Sequence, residues 1–128
     1  MKACLDTHAV LWSLADDSRL GPKARDLILS ANRTELAVPD IVLLEVAYLH
    51  KKRRIEVSDG LDSLLKKISG SFHILPIDPE IAVQAMSLAL PHGDPFDRVI
   101  AATAVVNRIP LLTRDRQIAS CDQLSTVW

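Results

Sequence analysis

The chain has 128 residues, of which 48% are hydrophobic and 24% charged. This length fits one ordinary domain with a single core, so one domain spanning 1–128 is expected. Fifteen Lys and Arg against sixteen Asp and Glu give a formal net charge of -1, which argues against a protein that grips nucleic acid by bulk positive charge. No apolar run is long enough for a bilayer span, and a carboxylate arrives at Asp6, too early for a secretory leader. A soluble, cytoplasmic protein without membrane contact is expected. Cys4 and Cys121 are far apart and outside any CxxC spacing, so they read as small buried hydrophobes rather than a disulfide or thiolate metal site.

Lys2 to Leu5 reads as a short strand that delivers Asp6 to its C-terminal tip, followed by a short helix through Ala15. Gly21-Pro22 opens a second helix, Lys23 to about Asn32, with Ala24, Leu27, Ile28 and Ala31 at core spacing. Leu36 to Val38 is a buried strand closed by Pro39, with Asp40 placed to cap the next helix. On that helix, about Ile41 to Lys52, Glu45 falls between Ile41, Val42, Tyr48 and Leu49 at 100° per residue, in the middle of the apolar stripe. A charge on a core face either meets a buried cation or lines a cleft. The basic run Lys51 to Arg54 is accounted for by the negative end of the helix dipole.

A fourth helix is expected over Ser58 to Ser69, a strand over Phe72 to Ile77, and a fifth helix from about Pro79 to Leu90. Then comes the most informative stretch, His92-Gly93-Asp94-Pro95-Phe96-Asp97-Arg98, running into Val99-Ile100-Ala101-Ala102-Thr103-Ala104. Gly and Pro mark a turn and the apolar spacing is helical, so the acids stand at a helix entrance. Asp94 is placed to cap the helix, and Asp97 lies in its first turn above Ala101 and Ala104, whose small side chains permit close packing. Leu111-Leu112 forms a further short strand, Thr113-Arg114-Asp115 its polar end, and Leu124 to Trp128 an edge strand.

Nearly continuous apolar strands separated by helices argue for a parallel sheet covered on both faces. In such a sheet the cleft lies beyond the carboxyl ends of the strands, where Asp6, Glu45, Asp97 and Asp115 would converge. Two ionised carboxylates about 4 Å apart repel by about 4 kcal/mol at an effective dielectric near 20. The cluster therefore takes up protons or binds a cation, and all-oxygen ligation selects Mg²⁺ or Mn²⁺ over zinc. Such ions complete their shells with water and phosphate oxygens, which points to phosphodiester or nucleotide chemistry. Thr7 and Thr113 are placed to orient carboxylates or water, or to bond their own backbone. The four histidines, His8, His50, His73 and His92, show no metal-ligand spacing.

Leu5-Asp6-Thr7-His8, Leu44-Glu45-Val46, Asp94-Pro95-Phe96-Asp97-Arg98 through Ala104, and Leu112-Thr113-Arg114-Asp115 together resemble the PIN-domain ribonucleases, most closely the VapC-type toxins of bacterial toxin–antitoxin pairs. The resemblance implies a three-layer α/β/α domain with a mainly parallel central sheet, endoribonuclease activity dependent on Mg²⁺ or Mn²⁺, homodimerisation, and inhibition by a cognate antitoxin. It makes Asp6, Glu45, Asp97 and Asp115 the acidic quartet. Asp6 and Asp97 are then the direct metal ligands, with Glu45 and Asp115 as further candidates, and Thr7, Thr113 and Arg98 supply substrate contacts or support. The competing expectation is a catalytically silent PIN-like module that binds RNA or the antitoxin.

Overall fold

The computed structural model describes residues 1–91 and 93–128. Strand β1 (Ala3–Leu5) leads into helix α1 (Thr7–Leu14), and α2 (Pro22–Ser30) follows. A 3₁₀ turn, Arg33–Glu35, precedes β2 (Leu36–Pro39), which runs into α3 (Ile41–Lys51) and α4 (Leu61–Ser71). The chain continues through β3 (His73–Leu75), α5 (Pro79–Ser87), α6 (Pro95–Asn107), β4 (Leu111–Leu112), the single-turn α7 (Arg116–Ala119) and β5 (Thr126–Val127).

All five strands are parallel, in the order β3-β2-β1-β4-β5. The sheet is the middle layer of an α/β/α arrangement, as the strand and helix alternation predicts. From β1 the chain winds outward to β2 and β3, then returns to the other side of β1 for β4 and β5. Winding therefore reverses between β1 and β4, where open α/β sheets gape at the carboxyl ends of their strands. Cys4 pairs with Leu111 and Leu5 with Leu112, so Asp6 and Thr113 emerge from adjacent strand ends. The Asp6 amide donates to the Leu112 carbonyl at 3.2 Å, locking that register.

Helix α6 is the packing centre. Ala101, Ala102 and Ala104 are fully buried, and their small side chains bring the helix against α5, α3, β1 and β2. Gly21 is required by a close approach: a Cβ there would meet the Trp128 carbonyl carbon at 2.4 Å. The Lys23 amide donates to the Trp128 carbonyl at 3.2 Å, tying the chain's last residue to the start of α2.

Four local expectations are corrected. Asp40 does not cap α3 with its side chain; Oδ2 instead accepts from the Ile77 amide at 3.0 Å, pinning the segment that follows β3. Helix α5 ends at Ser87 rather than Leu90, and β3 is limited to three residues. Tyr48 lies outside the buried stripe of α3, which is made of Val42, Val46 and Leu49. No helix among the described residues is long and apolar enough to cross a membrane.

Candidate active site

A cleft of about 910 Å³ opens at the β1/β4 reversal and is lined by Asp6, Glu45, Asp94, Asp97 and Asp115. All four carboxylates expected at the strand ends are present, and Asp94 joins them. Asp6, directly after β1, caps α1 by accepting from the Ala9 amide at 2.8 Å. Asp94 caps α6, its Oδ1 accepting from the Phe96 amide at 2.9 Å. Asp115 caps α7, its Oδ1 accepting from Gln117 at 2.8 Å and Ile118 at 3.2 Å. The helix N-termini place partial positive charge beside the acids and offset part of their repulsion.

The two threonines serve the acids. Buried Thr7, the first residue of α1, donates through its hydroxyl to Glu45 Oε1 from α3. Buried Thr113 hydrogen-bonds the Asp6 carboxylate, and its hydroxyl accepts from the Asp115 amide at 3.1 Å. It thus supports both Asp6 and its own backbone, so the two roles open to it from the sequence coexist.

Burial raises the proton affinity of Asp6, with the Asp115 charge adding to it and the bonds from Thr113 and Ala9 opposing it. Glu45 is also pushed up, first by burial, against the Thr7 hydrogen bond and with help from Asp94 and Asp6. Asp97 is pushed from 3.8 to about 7, by burial and then by the charges of Asp94, Glu45, Asp115 and Asp6. It feels all four other carboxylates of the cleft and is the electrostatic centre of the group. A hard divalent cation fits this donor set, because it supplies the positive charge that a proton supplies otherwise. Among the described residues no three His, Cys, Asp or Glu side chains close into a preformed cage. Mg²⁺ does not require one, since it keeps several waters and takes one or two carboxylates plus phosphate oxygens.

Arg98 corrects the sequence reading. Its Nη1 donates to the carbonyls of Ala85 and Leu88, each at 3.0 Å, so the guanidinium ties α6 to the end of α5. It fills the place left by the early end of that helix, satisfying carbonyls without intrahelical partners. It does not line the cleft. Among the described residues the arginines that do are Arg54, Arg114 and Arg116, and exposed His8 stands beside them. Arg54 is the last residue of the basic run that the sequence assigns to the helix dipole, and it also reaches the cleft. Arg114 stands between Thr113 and Asp115 in the sequence. His92 lies outside the described residues.

With this geometry in place, residues 3–124 match the PIN domain family. The chain belongs to the PIN-domain family. This PIN domain is 36% identical over 118 residues to the ribonuclease VapC22 of Mycobacterium tuberculosis (strain ATCC 25618 / H37Rv), covering 91% of this chain and 88% of that one. Its fold is shared with DNA-bound VapBC from Salmonella typhimurium, with a TM-score of 0.73, 19% identity, and 99% and 97% of the two chains covered. VapBC2 from Rickettsia felis, bound to a DNA fragment from the promoter, gives 0.70, 17%, 99% and 98%. A toxin–antitoxin complex from Klebsiella pneumoniae gives 0.68, 23%, 99% and 97%. At these identities the structural likeness concerns the fold.

Proposed function

We propose that this PIN domain, residues 1–128 as one unit, is a metal-dependent endoribonuclease that acts in the cytoplasm as the toxin of a toxin–antitoxin pair. The observation that carries the reading is Asp97, half-buried at a helix entrance and driven to about 7 by burial and the four acids around it. A cluster this costly, at the sheet reversal of a chain related to a named ribonuclease, is accounted for by a catalytic cation.

Asp6 and Asp97 would hold Mg²⁺ or Mn²⁺, with Glu45 and Asp115 holding it directly or through water. The ion, when bound, polarises the scissile phosphate and acidifies the attacking water. The chain's own residues supply the rest. Thr7 fixes the rotamer of Glu45, Thr113 fixes Asp6, and the amides of Ala9 and Gln117 hold Asp6 and Asp115 in place. Arg54, Arg114 and Arg116 at the rim offset the repulsion between the acids and an incoming polyanion.

A cognate antitoxin is the expected inhibitor, and a homodimer the expected assembly. For the latter, exposed Leu44 and Tyr48 on α3 and Val83 and Met86 on α5 offer apolar surface on two helices that both pack on α6. Asp6→Asn preserves the cap but removes the charge, so it should abolish RNA cleavage and growth inhibition while leaving the melting temperature within a few degrees. EDTA should silence the wild type and Mn²⁺ should raise its melting temperature. RNA cleavage undiminished by Asp6→Asn or by EDTA overturns the proposal. RNA binding without cleavage or metal stabilisation identifies a silent module instead.

A further inference from the structure

A second hollow, of about 740 Å³, runs between α1, the segment after α3 and the start of α4. It is not separate from the acid cleft: His8, Arg54 and Arg114 line both. Its floor carries Trp12, buried to 6% exposure, with the Arg19 guanidinium 4.8 Å and the Arg114 guanidinium 4.4 Å from the ring centroid. His8 tilts against the same indole at 5.2 Å.

The charges along this hollow are not all available. Arg19 is paired with Asp17 at 2.8 Å, which cancels both. Arg54, Lys67 and Arg114 remain, all exposed and in no ion pair among the described residues, against Glu56 and Asp59. A phosphodiester chain entering a cleft of five acids needs cations on its flanking phosphates, and the two arginines shared by both hollows stand where the strand must pass. Arg114 is also presented as a planar surface. Its guanidinium lies over a fixed indole and its side chain is exposed, an arrangement suited to stacking an unpaired base.

On the reading of the acid cleft as an RNA-cleaving site, we infer that this hollow holds the single-stranded RNA segment adjoining the scissile phosphate, with Arg54, Lys67 and Arg114 on its phosphates and a base stacked on the Arg114 guanidinium. The stack makes Arg114 a determinant of which nucleotide lies beside the cut. A double helix is excluded from this role, because its bases already stack on each other and offer no free face.

The test is binding without cleavage. A 5′-fluorescein-labelled, mixed-sequence 12-nucleotide RNA is titrated with the full chain in EDTA at several KCl concentrations. Arg54→Gln, Lys67→Gln and Arg114→Gln should each weaken binding about fivefold and lower the slope of log K against log salt by about 0.7, the value for one phosphate contact on a single strand. Arg114→Lys should restore the slope but not the affinity, since an ammonium is a point charge without a stacking face. Lys66→Gln, whose ammonium pairs with Asp62 at 2.9 Å and does not line the hollow, should bind as wild type. Lys67 lines only this hollow, so it carries the sharpest distinction. Wild-type affinity and slope in both Lys67→Gln and Arg54→Gln overturn the inference. So does loss of a copurifying protein partner from these variants while RNA binding is intact, because the hollow then belongs to that protein. Failure of the ribonuclease reading looks different: the RNA binds with these dependences but stays uncut in Mn²⁺.

Discussion

Replacing Asp97 by Asn should make the metal-free protein more stable at neutral pH while abolishing its activity. Asp97 binds its proton more tightly in the folded chain than its ordinary value of 3.8, with a folded value of about 7. Its contribution to stability is therefore fully present below pH 4 and is lost as pH rises through about 7. A rise of that size in a fully enclosed group corresponds to about 4 kcal/mol, at about 1.4 kcal/mol per pH unit. Asp97 is only half-buried, and solvent screening plus the favourable first-turn position on α6 reduce the net effect to about 1–2 kcal/mol. For a chain of this length that is about 4–8 °C in melting temperature. Thermal melts in EDTA from pH 4 to 8.5 should show wild type and Asp97→Asn close together at pH 4, diverging towards pH 7 and parallel above it, with the variant higher. Adding Mn²⁺ at pH 8 should raise wild type and leave the variant unmoved. A variant no more stable than wild type at pH 8 in EDTA refutes the electrostatic argument.

Thr7→Val keeps the buried volume but removes the hydroxyl that holds Glu45; kcat should fall about tenfold with KM for RNA little changed, read by initial rates on one oligonucleotide. Arg98→Met leaves the Ala85 carbonyl without its side-chain donor and the Leu88 carbonyl with the Leu90 amide alone, and urea melts should show a loss of about 1–2 kcal/mol. The folded Arg98→Met protein should bind the labelled RNA with unchanged salt dependence; a slope lowered by about 0.7 would return Arg98 to the phosphate. Gly21→Ala forces a methyl group into the Trp128 backbone and should cost about 1–3 kcal/mol by the same urea assay.

The sheet and the acids were legible because each rests on a short-range signal. Asp6 follows a strand of three fully buried residues, and Glu45 interrupts an apolar stripe, so their placement needed only the periods of strand and helix. Asp94 was readable as a cap from Gly93 and Pro95, and the structure adds that capping does not remove it from the cleft. The role of Arg98 was not legible. It depends on α5 stopping at Ser87, and nothing in the helical spacing of Ala85, Met86 and Ala89 announces that stop. The α7 turn was missed for a related reason: four residues leave no periodicity, and its evidence is the Asp115 cap, a residue already claimed by the metal argument. The hollow beside Trp12 joins α1 to the start of α4 across about fifty residues, a proximity set by tertiary packing alone.

The caps explain how a chain of net charge -1 tolerates five carboxylates in one cleft. Asp6, Asp94 and Asp115 each stand at the N-terminus of a different helix and take backbone amide bonds there, so folding recovers part of the cost of bringing them together. Glu45 and Asp97 have no such position: one sits in the second turn of α3 and the other inside the first turn of α6. These are two of the three acids whose proton affinity rises, and for both burial is the leading cause. Asp6, the third, is a cap in a deeper setting, where burial outweighs the bonds from Ala9 and Thr113. Holding some acids on helix ends while others have raised proton affinity gives a cleft in which the fold offsets part of the repulsion and a cation would relieve the rest. Of the three acids whose proton affinity rises, Asp97 is the one pushed up by every other carboxylate of the cleft, which places a demand for positive charge beside α6.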